Sequence, residues 1–264
     1  MIKSKVIVGI LSCGRTDLPN HGINRQWECM RTWIPQLNNR GIMTVFLVGD
    51  KNLSEEYKLV GNVLFCRCKD KHGYQSYKTK IFLKWVEENC EYDYVFRCDD
   101  DAYVHTDRLL NCIEEYSKDS SIDYIGHCLP NIGFDPNQPS QQWIKIKSDK
   151  IHWASGCAYL LTKRVIGIIL KDIDNEIDDW IKHKRDLYAE DLVICRILRK
   201  HNIRLYHDGR FLPTAPFPNC DWDNTKVMGG DGSNSPIIDS NNELIAQNYM
   251  FGRMDEIHKE IINK

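Results

Sequence analysis

The chain has 264 residues, 42% of them hydrophobic, which is enough apolar material for a full core in one large domain or two small ones. Its formal net charge is −2, so no basic field invites nucleic acid or an anionic membrane surface. No apolar run approaches the roughly 18 residues that mark a membrane-crossing helix, and the sequence therefore reads as a chain with no transmembrane segment.

In chain order, Lys5 to Ser12 (KVIVGILS) reads as a buried strand. Ile23 to Leu37 carries helical spacing through Ile23, Trp27, Met30 and Ile34. Met43 to Val48 (MTVFLV) and Asn62 to Cys66 read as further strands, and Ser76 to Asn89 as an amphipathic helix with Ile81, Phe82, Trp85 and Val86 on one face. Tyr94 to Cys98 is a strand, and Thr106 to Tyr116 a helix. In the second half Trp153 to Leu161 reads as a strand, Thr162 to Lys171 and Leu187 to Lys200 as helices, and Pro213 to Asn242 as loop chemistry rich in Pro, Gly, Asn, Asp and Ser. Strands alternating with helices imply a mostly parallel, three-layer α/β sheet, with ligands outside the carboxyl ends of its strands. No repeat or long linker divides the chain, so one domain is expected over residues 1–264.

The segment YVFRCDDDAYV, residues 94–104, runs from an apolar strand into three consecutive aspartates. Adjacent carboxylates repel one another. In extended backbone Asp99 and Asp101 face one side, and a turn brings Asp100 near. A hard divalent cation such as Mg2+ or Mn2+ with a bound diphosphate would remove the repulsion; a solvated acidic turn is the plainer reading.

The surroundings of the triplet carry a resemblance. Lys78-Thr79, five residues, Trp85, four residues, Cys90, then Tyr94-Val95 and Asp99-Asp100-Asp101 resembles the β-1,3-galactosyltransferase/Fringe group of glycosyltransferases. Four further pieces occur in the same order: Arg25 through Thr32-Trp33, Phe46-Leu47-Val48-Gly49, Ser155-Gly156-Cys157-Ala158-Tyr159, and Glu190-Asp191-Leu192. The likeness extends over about residues 5 to 211. It implies a GT-A fold, with residues to about 105 binding a nucleotide sugar and the remainder an acceptor. It also implies a UDP-sugar donor, Mn2+ (or Mg2+), a glycan or glycoside acceptor, and inversion at the anomeric carbon. On this resemblance Asp99 and Asp101 are the two ends of a DxD motif. Asp101, with Asp99, would hold the metal, and Asp99 and Asp100 would contact ribose or donor sugar. Asp191 would be the general base that takes the proton of the acceptor hydroxyl. The plainer reading of Glu190-Asp191 is an acidic first turn favoured by the helix dipole.

The loop Ser12-Cys13-Gly14-Arg15-Thr16 is expected to face uracil and ribose. Arg15 or Arg25 would meet phosphate, and Lys78 and Gly156 would line the donor side. Trp143, Trp153 and Trp222 are candidate sugar platforms, and Asn219 to Ser235 a candidate lid over the site. The family's late histidine is missing: Gln247 or Asn248 stands near its place, and neither His207 nor His258 aligns well as a substitute. His105, four residues past the triplet, is expected to pack.

Galactose is the expected sugar and N-acetylglucosamine the alternative. A metal-dependent phosphohydrolase would be satisfied by the acidic cluster alone, but no further ligand motif is present; a prenyl synthase needs DDxxD, where Tyr103 takes the last position. A non-catalytic lectin or chaperone relative is disfavoured by the presence of both Asp101 and Asp191. Eleven cysteines lie scattered, mostly in apolar segments such as those of Cys90, Cys112, Cys157 and Cys195, with no CxxC pair. Together with an N-terminus that lacks the features of a secretory signal, this points to a cytoplasmic protein. The alternative is the soluble catalytic domain of a Golgi-type membrane-anchored enzyme.

Overall fold

The computed structural model describes residues 1–16, 23–71, 73–130, 152–183, 190–208, 210–212, 245–248, 254–255 and 258–259. Its first half runs β1 (Ile2–Lys3), β2 (Val6–Leu11), α1 (Ile23–Arg31), α2 (Ile34–Asn39), β3 (Met43–Gly49), β4 (Tyr57–Val60) and β5 (Val63–Cys66). Then come α3 (Gln75–Asn89), β6 (Cys90–Glu91), β7 (Tyr94–Asp99), β8 (Ala102–Val104) and α4 (Thr106–Tyr116). The second half supplies β9 (Tyr124–Pro130), β10 (His152–Thr162), α5 (Lys163–Lys182), α6 (Glu190–Lys200), β11 (Leu205–His207), β12 (Phe211–Leu212) and β13 (Ala246–Asn248).

Eight strands form the main sheet in the order β11-β9-β10-β7-β2-β3-β5-β4. β7, β2, β3 and β5 are mutually parallel, while β10 runs against β7 and β9, and β4 against β5. β2 (VIVGIL) is buried at every position, the mark of a central strand covered on both faces. Its side chains alternate between two cores. Val6, Val8 and Ile10 pack with residues of α1, α2 and α4, whereas Ile7 and Leu11 pack with residues of α3, α5 and α6. Helices thus cover both faces of a mixed, mostly parallel sheet, the layering expected of a GT-A fold.

Two registers place the site. Leu11 of β2 lies opposite both Leu47 of β3 and Asp99 of β7, so these parallel strands end nearly level. Next to β7, β10 sets Ala158 opposite Cys98, and its pairing with β9 shifts register between Ala154 and Tyr159, around Gly156. A second sheet, β12-β13-β8, pairs Gln247 with Tyr103 and Asn248 with Ala102.

The structure corrects the sequence reading in two elements. Residues 23–37 form two helices, and Ile23, Trp27 and Met30 are exposed; Cys29, Trp33, Ile34 and Leu37 are the buried positions. The reason is that the inward face of α1 is polar at its start, where Arg25 and Gln26 meet Asp100, Ser12 and the Cys13 carbonyl. α5 also continues to Lys182, well past Lys171, because Ile173, Ile177 and Trp180 keep one face of it buried.

Gly9 shows how closely α3 sits on the sheet: a Cβ there would come within 2.4 Å of the fully buried Phe82 ring. Gly9→Ala is therefore expected to destabilise the fold by about 1–3 kcal/mol, the usual cost of overpacking. A urea-unfolding midpoint equal to that of the wild type would contradict this close packing.

Candidate active site

β7 delivers Asp99 at its last position, and the following turn carries Asp100 and Asp101 before β8 begins. The three carboxylates share two guanidinium groups, Asp99 that of Arg97 and both Asp100 and Asp101 that of Arg25. Asp99 Oδ1 lies 2.8 Å from Arg97 Nη1. Asp100 accepts from Ser12 Oγ at 2.7 Å and from Arg25 Nη1 at 3.2 Å. Asp101 Oδ2 lies 3.3 Å from the same Arg25 nitrogen, while its Oδ1 is buried with no hydrogen-bond partner among the described residues. Two arginines, Arg25 and Arg97, therefore stand among the three aspartates and offset part of their mutual repulsion. Among the described residues no three His, Cys, Asp or Glu side chains gather as a ready-made cation site. Burial pushes Asp100 up to about 6 and Asp99 well above the usual carboxylate range, against the pull of the guanidinium groups.

Asp191 reaches the same place from the other half of the chain. It stands in the first turn of α6, where its Oδ1 accepts the Leu192 N–H at 2.9 Å and its Oδ2 the Gly156 N–H at 3.2 Å. A Cβ built on Gly156 would lie 3.6 Å from Asp191 Oδ2 and 3.7 Å from Asp99 Oδ2. The nearest atom to that Cβ would be Arg97 Nη1 at 3.5 Å, so Gly156 is the backbone position where two carboxylates remote in sequence and a guanidinium converge. Burial, and then the neighbouring Glu190 carboxylate, push Asp191 up to about 7, which suits a base working near neutrality.

The remaining expected donor residues gather at the ends of β2 and β3. Lys78 is buried on α3, and its Nζ donates to the Ser12 carbonyl at 2.7 Å and to Asp70 Oδ1 at 2.6 Å. Asp70 also accepts the N–H groups of Gly14 at 2.6 Å and Gly49 at 3.0 Å. Lys78 and Asp70 therefore brace the loop that follows β2. Arg15 is exposed in that loop, its carbonyl accepting the Ile23 N–H at 3.3 Å. The structure thus brings Ser12, Arg25, Asp99, Asp100, Asp101, Gly156 and Asp191 to one end of the sheet, with Lys78 beneath the loop that follows β2.

Residues 25–208 match the family described as Galactosyltransferase, a stretch covering more than half of the chain. The chain belongs to the galactosyltransferase family. Human N-acetyllactosaminide beta-1,3-N-acetylglucosaminyltransferase 2 is 30% identical to it over 132 residues, 44% of this chain and 33% of the relative. Its mouse counterpart is 29% identical over 124 residues, 41% and 31% of the two chains. The matched region thus spans about a third of the length of these curated relatives. Among solved structures, a galactosyltransferase in complex with donor and acceptor sugar analogs aligns at 14% identity and a TM-score of 0.48, over 97% of this chain and 95% of that one.

Other expected residues of this galactosyltransferase family member lie elsewhere. His258 Nδ1 is 2.9 Å from the Tyr103 hydroxyl, His207 packs edge-on to His127, and His105 is buried against Tyr103. Trp153 is partly buried against the core. Trp143, Trp222 and the Asn219–Ser235 segment lie outside the described residues. No helix among the described residues is long and apolar enough to cross a membrane. Reading the sequence missed Arg97, Asp70 and the part played by Glu190. The available signal for Arg97 was a single charge inside an apolar strand, spaced by two from both Val95 and Asp99 and so on the same face.

The raised pKa of Asp191 carries a sign that can be tested. A carboxyl group whose folded-state pKa lies above its unfolded value binds a proton more readily in the folded chain, so its ionisation destabilises the fold as pH rises from about 4 to 7. Asp191→Asn is expected to match the wild type near pH 4 and to melt roughly 2–4 °C higher at pH 8. Equal melting temperatures at both pH values would show that Asp191 ionises without strain.

Proposed function

We propose that this protein is a metal-dependent, inverting glycosyltransferase that moves a sugar from a UDP-sugar to a glycan hydroxyl, forming a β-linkage. The observation that carries the reading is the approach of Asp99 and Asp191 to one another at Gly156, together with an Asp101 oxygen that is buried and has no hydrogen-bond partner among the described residues. Galactose is the sugar that the family name favours. The N-acetylglucosaminyltransferase relatives favour N-acetylglucosamine as the second reading.

The donor set fits a divalent cation with a diphosphate. Among the described residues Asp101 Oδ1 is a buried acceptor without a donor, and Arg25 Nε is a buried donor without an acceptor. Both Asp101 and Arg25 belong to one ion-paired cluster, and a cation and a phosphate oxygen are the respective complements of the two atoms. Asp101 would hold the ion, with Asp99 beside it, and Mn2+ or Mg2+ would offset negative charge on the departing diphosphate. Arg25 would bind phosphate oxygens, and the Ser12–Arg15 loop, braced by Lys78 and Asp70, would seat the nucleoside. Asp191 would orient the acceptor hydroxyl and take its proton as the new bond to the anomeric carbon forms.

Transfer and hydrolysis of UDP-galactose and UDP-N-acetylglucosamine should be measured with Mn2+, and UDP binding followed by calorimetry. Wild-type protein is expected to turn over at least one of these donors, and Asp191→Asn to lose roughly 100-fold or more in kcat while still binding UDP. Asp101→Asn should weaken UDP binding only when Mn2+ is present. Protein that neither binds UDP nor consumes either donor would overturn the reading.

A further inference from the structure

Arg97 is a side chain that the proposed chemistry does not use, yet it lies at the centre of the site. It projects from β7 into the sheet face covered by α3 and α6, the face that also holds Val95. Only 3% of its side chain is exposed, so it cannot contact a substrate directly. Its guanidinium reaches three ways. One terminal nitrogen pairs with Asp99 Oδ1 at 2.8 Å and also donates to the Gly156 carbonyl. The other pairs with Glu190 Oε2 at 2.8 Å. Glu190 is buried in turn, and its Oε1 accepts from Thr79 Oγ1 at 3.1 Å and from the Tyr159 hydroxyl.

These contacts converge on Asp191. One oxygen of Asp191 depends on the Gly156 N–H, and the peptide that follows Gly156 is fixed through its carbonyl by Arg97. The backbone of Asp191 follows directly from Glu190, whose side chain the same guanidinium grips. We infer that Arg97 is a positioning residue: one buried fork that fixes the Gly156 strand, the first turn of α6 and Asp99, and thereby sets the Asp191 carboxylate opposite the metal-side carboxylates. The planar guanidinium suits this task because its nitrogens donate in several fixed directions, whereas an ammonium on a flexible stem is a single point charge. Thr79 and Tyr159 complete the device by leaving Glu190 one geometry. The inference rests on the proposed role of Asp191 as base.

Removing Arg97 alone would leave the buried Glu190 charge without its partner and could unfold the protein. The test therefore compares Arg97→Lys, Arg97→Met and the double variant Arg97→Met/Glu190→Gln, in which the buried pair is removed together and the amide still accepts from Thr79 and Tyr159. Thermal unfolding confirms which variants fold. For the double variant, kcat for transfer in the presence of Mn2+ is expected to fall roughly 100-fold, the scale of a misplacement of about 1 Å. The Kd for UDP measured without Mn2+ should stay within about threefold of wild type, because Arg97 contacts Asp99, Gly156 and Glu190, whereas metal-free UDP binding would rest on Arg25 and the Ser12–Arg15 loop. Arg97→Lys should recover part of kcat, through one contact of the three. A crystal structure of the double variant gives a readout independent of turnover: the Asp191 carboxylate should have left the Gly156 N–H.

An unmoved Asp191 carboxylate, a kcat within about threefold of wild type, or a loss of metal-free UDP affinity as large as the loss of kcat would each overturn the inference. If wild-type protein consumes no UDP-sugar, the proposed function fails instead, and the position of Asp191 in the crystal alone decides the role of Arg97.

Discussion

Guanidinium groups set among crowded carboxylates hold this site together. A buried charge is costly unless its partners are close and its hydrogen bonds are met. Arg97 answers that cost with Asp99, Glu190 and the Gly156 carbonyl, and Arg25 with Asp100 and Asp101. Without those cations four acidic side chains would face one another at the end of a hydrophobic sheet. The compensation is incomplete: Asp99, Asp100 and Asp191 all keep raised pKa values, and among the described residues an acceptor on Asp101 and the Nε donors of Arg25 and Arg97 stay unmatched. Such residual electrostatic tension is commoner where a ligand binds than in a purely structural ion pair.

The fold serves this arrangement through its register. Because β2, β3 and β7 end level, the residues just beyond them become neighbours, although Ser12 and Asp100 are far apart in sequence. β10, inserted antiparallel beside β7, adds Gly156 from the second half of the chain. Its irregular pairing with β9 coincides with the stretch whose amide and carbonyl serve Asp191 and Arg97.

Much of this could be read in the sequence. Central strands such as VIVGIL and MTVFLV announce themselves as continuous apolar runs, and the order of short motifs pointed to Asp99, Asp101, Gly156 and Asp191 together. What could not be read were interactions that need three dimensions. Helical periodicity chose the wrong face of α1, because that helix turns polar Arg25 and Gln26 inward to reach the acidic turn. Arg97 looked like an interruption of a greasy strand, and Glu190 like part of an ordinary acidic helix start. Asp70 lies in a loop with no periodic signal, and only the structure shows it collecting Gly14, Gly49 and Lys78.

Lys78 and Thr79 are consecutive residues of α3, yet one supports the loop after β2 through Ser12 and Asp70 while the other anchors Glu190 across the sheet end. Successive helical residues point about 100° apart, so this adjacency works as a fixed bracket between the two halves of the site. An insertion of a single residue between them would rotate one support away from its target, whereas lengthening a bordering surface loop would leave the bracket untouched. Variation in what this protein recognises is therefore free to accumulate around α3 but not within its first turns.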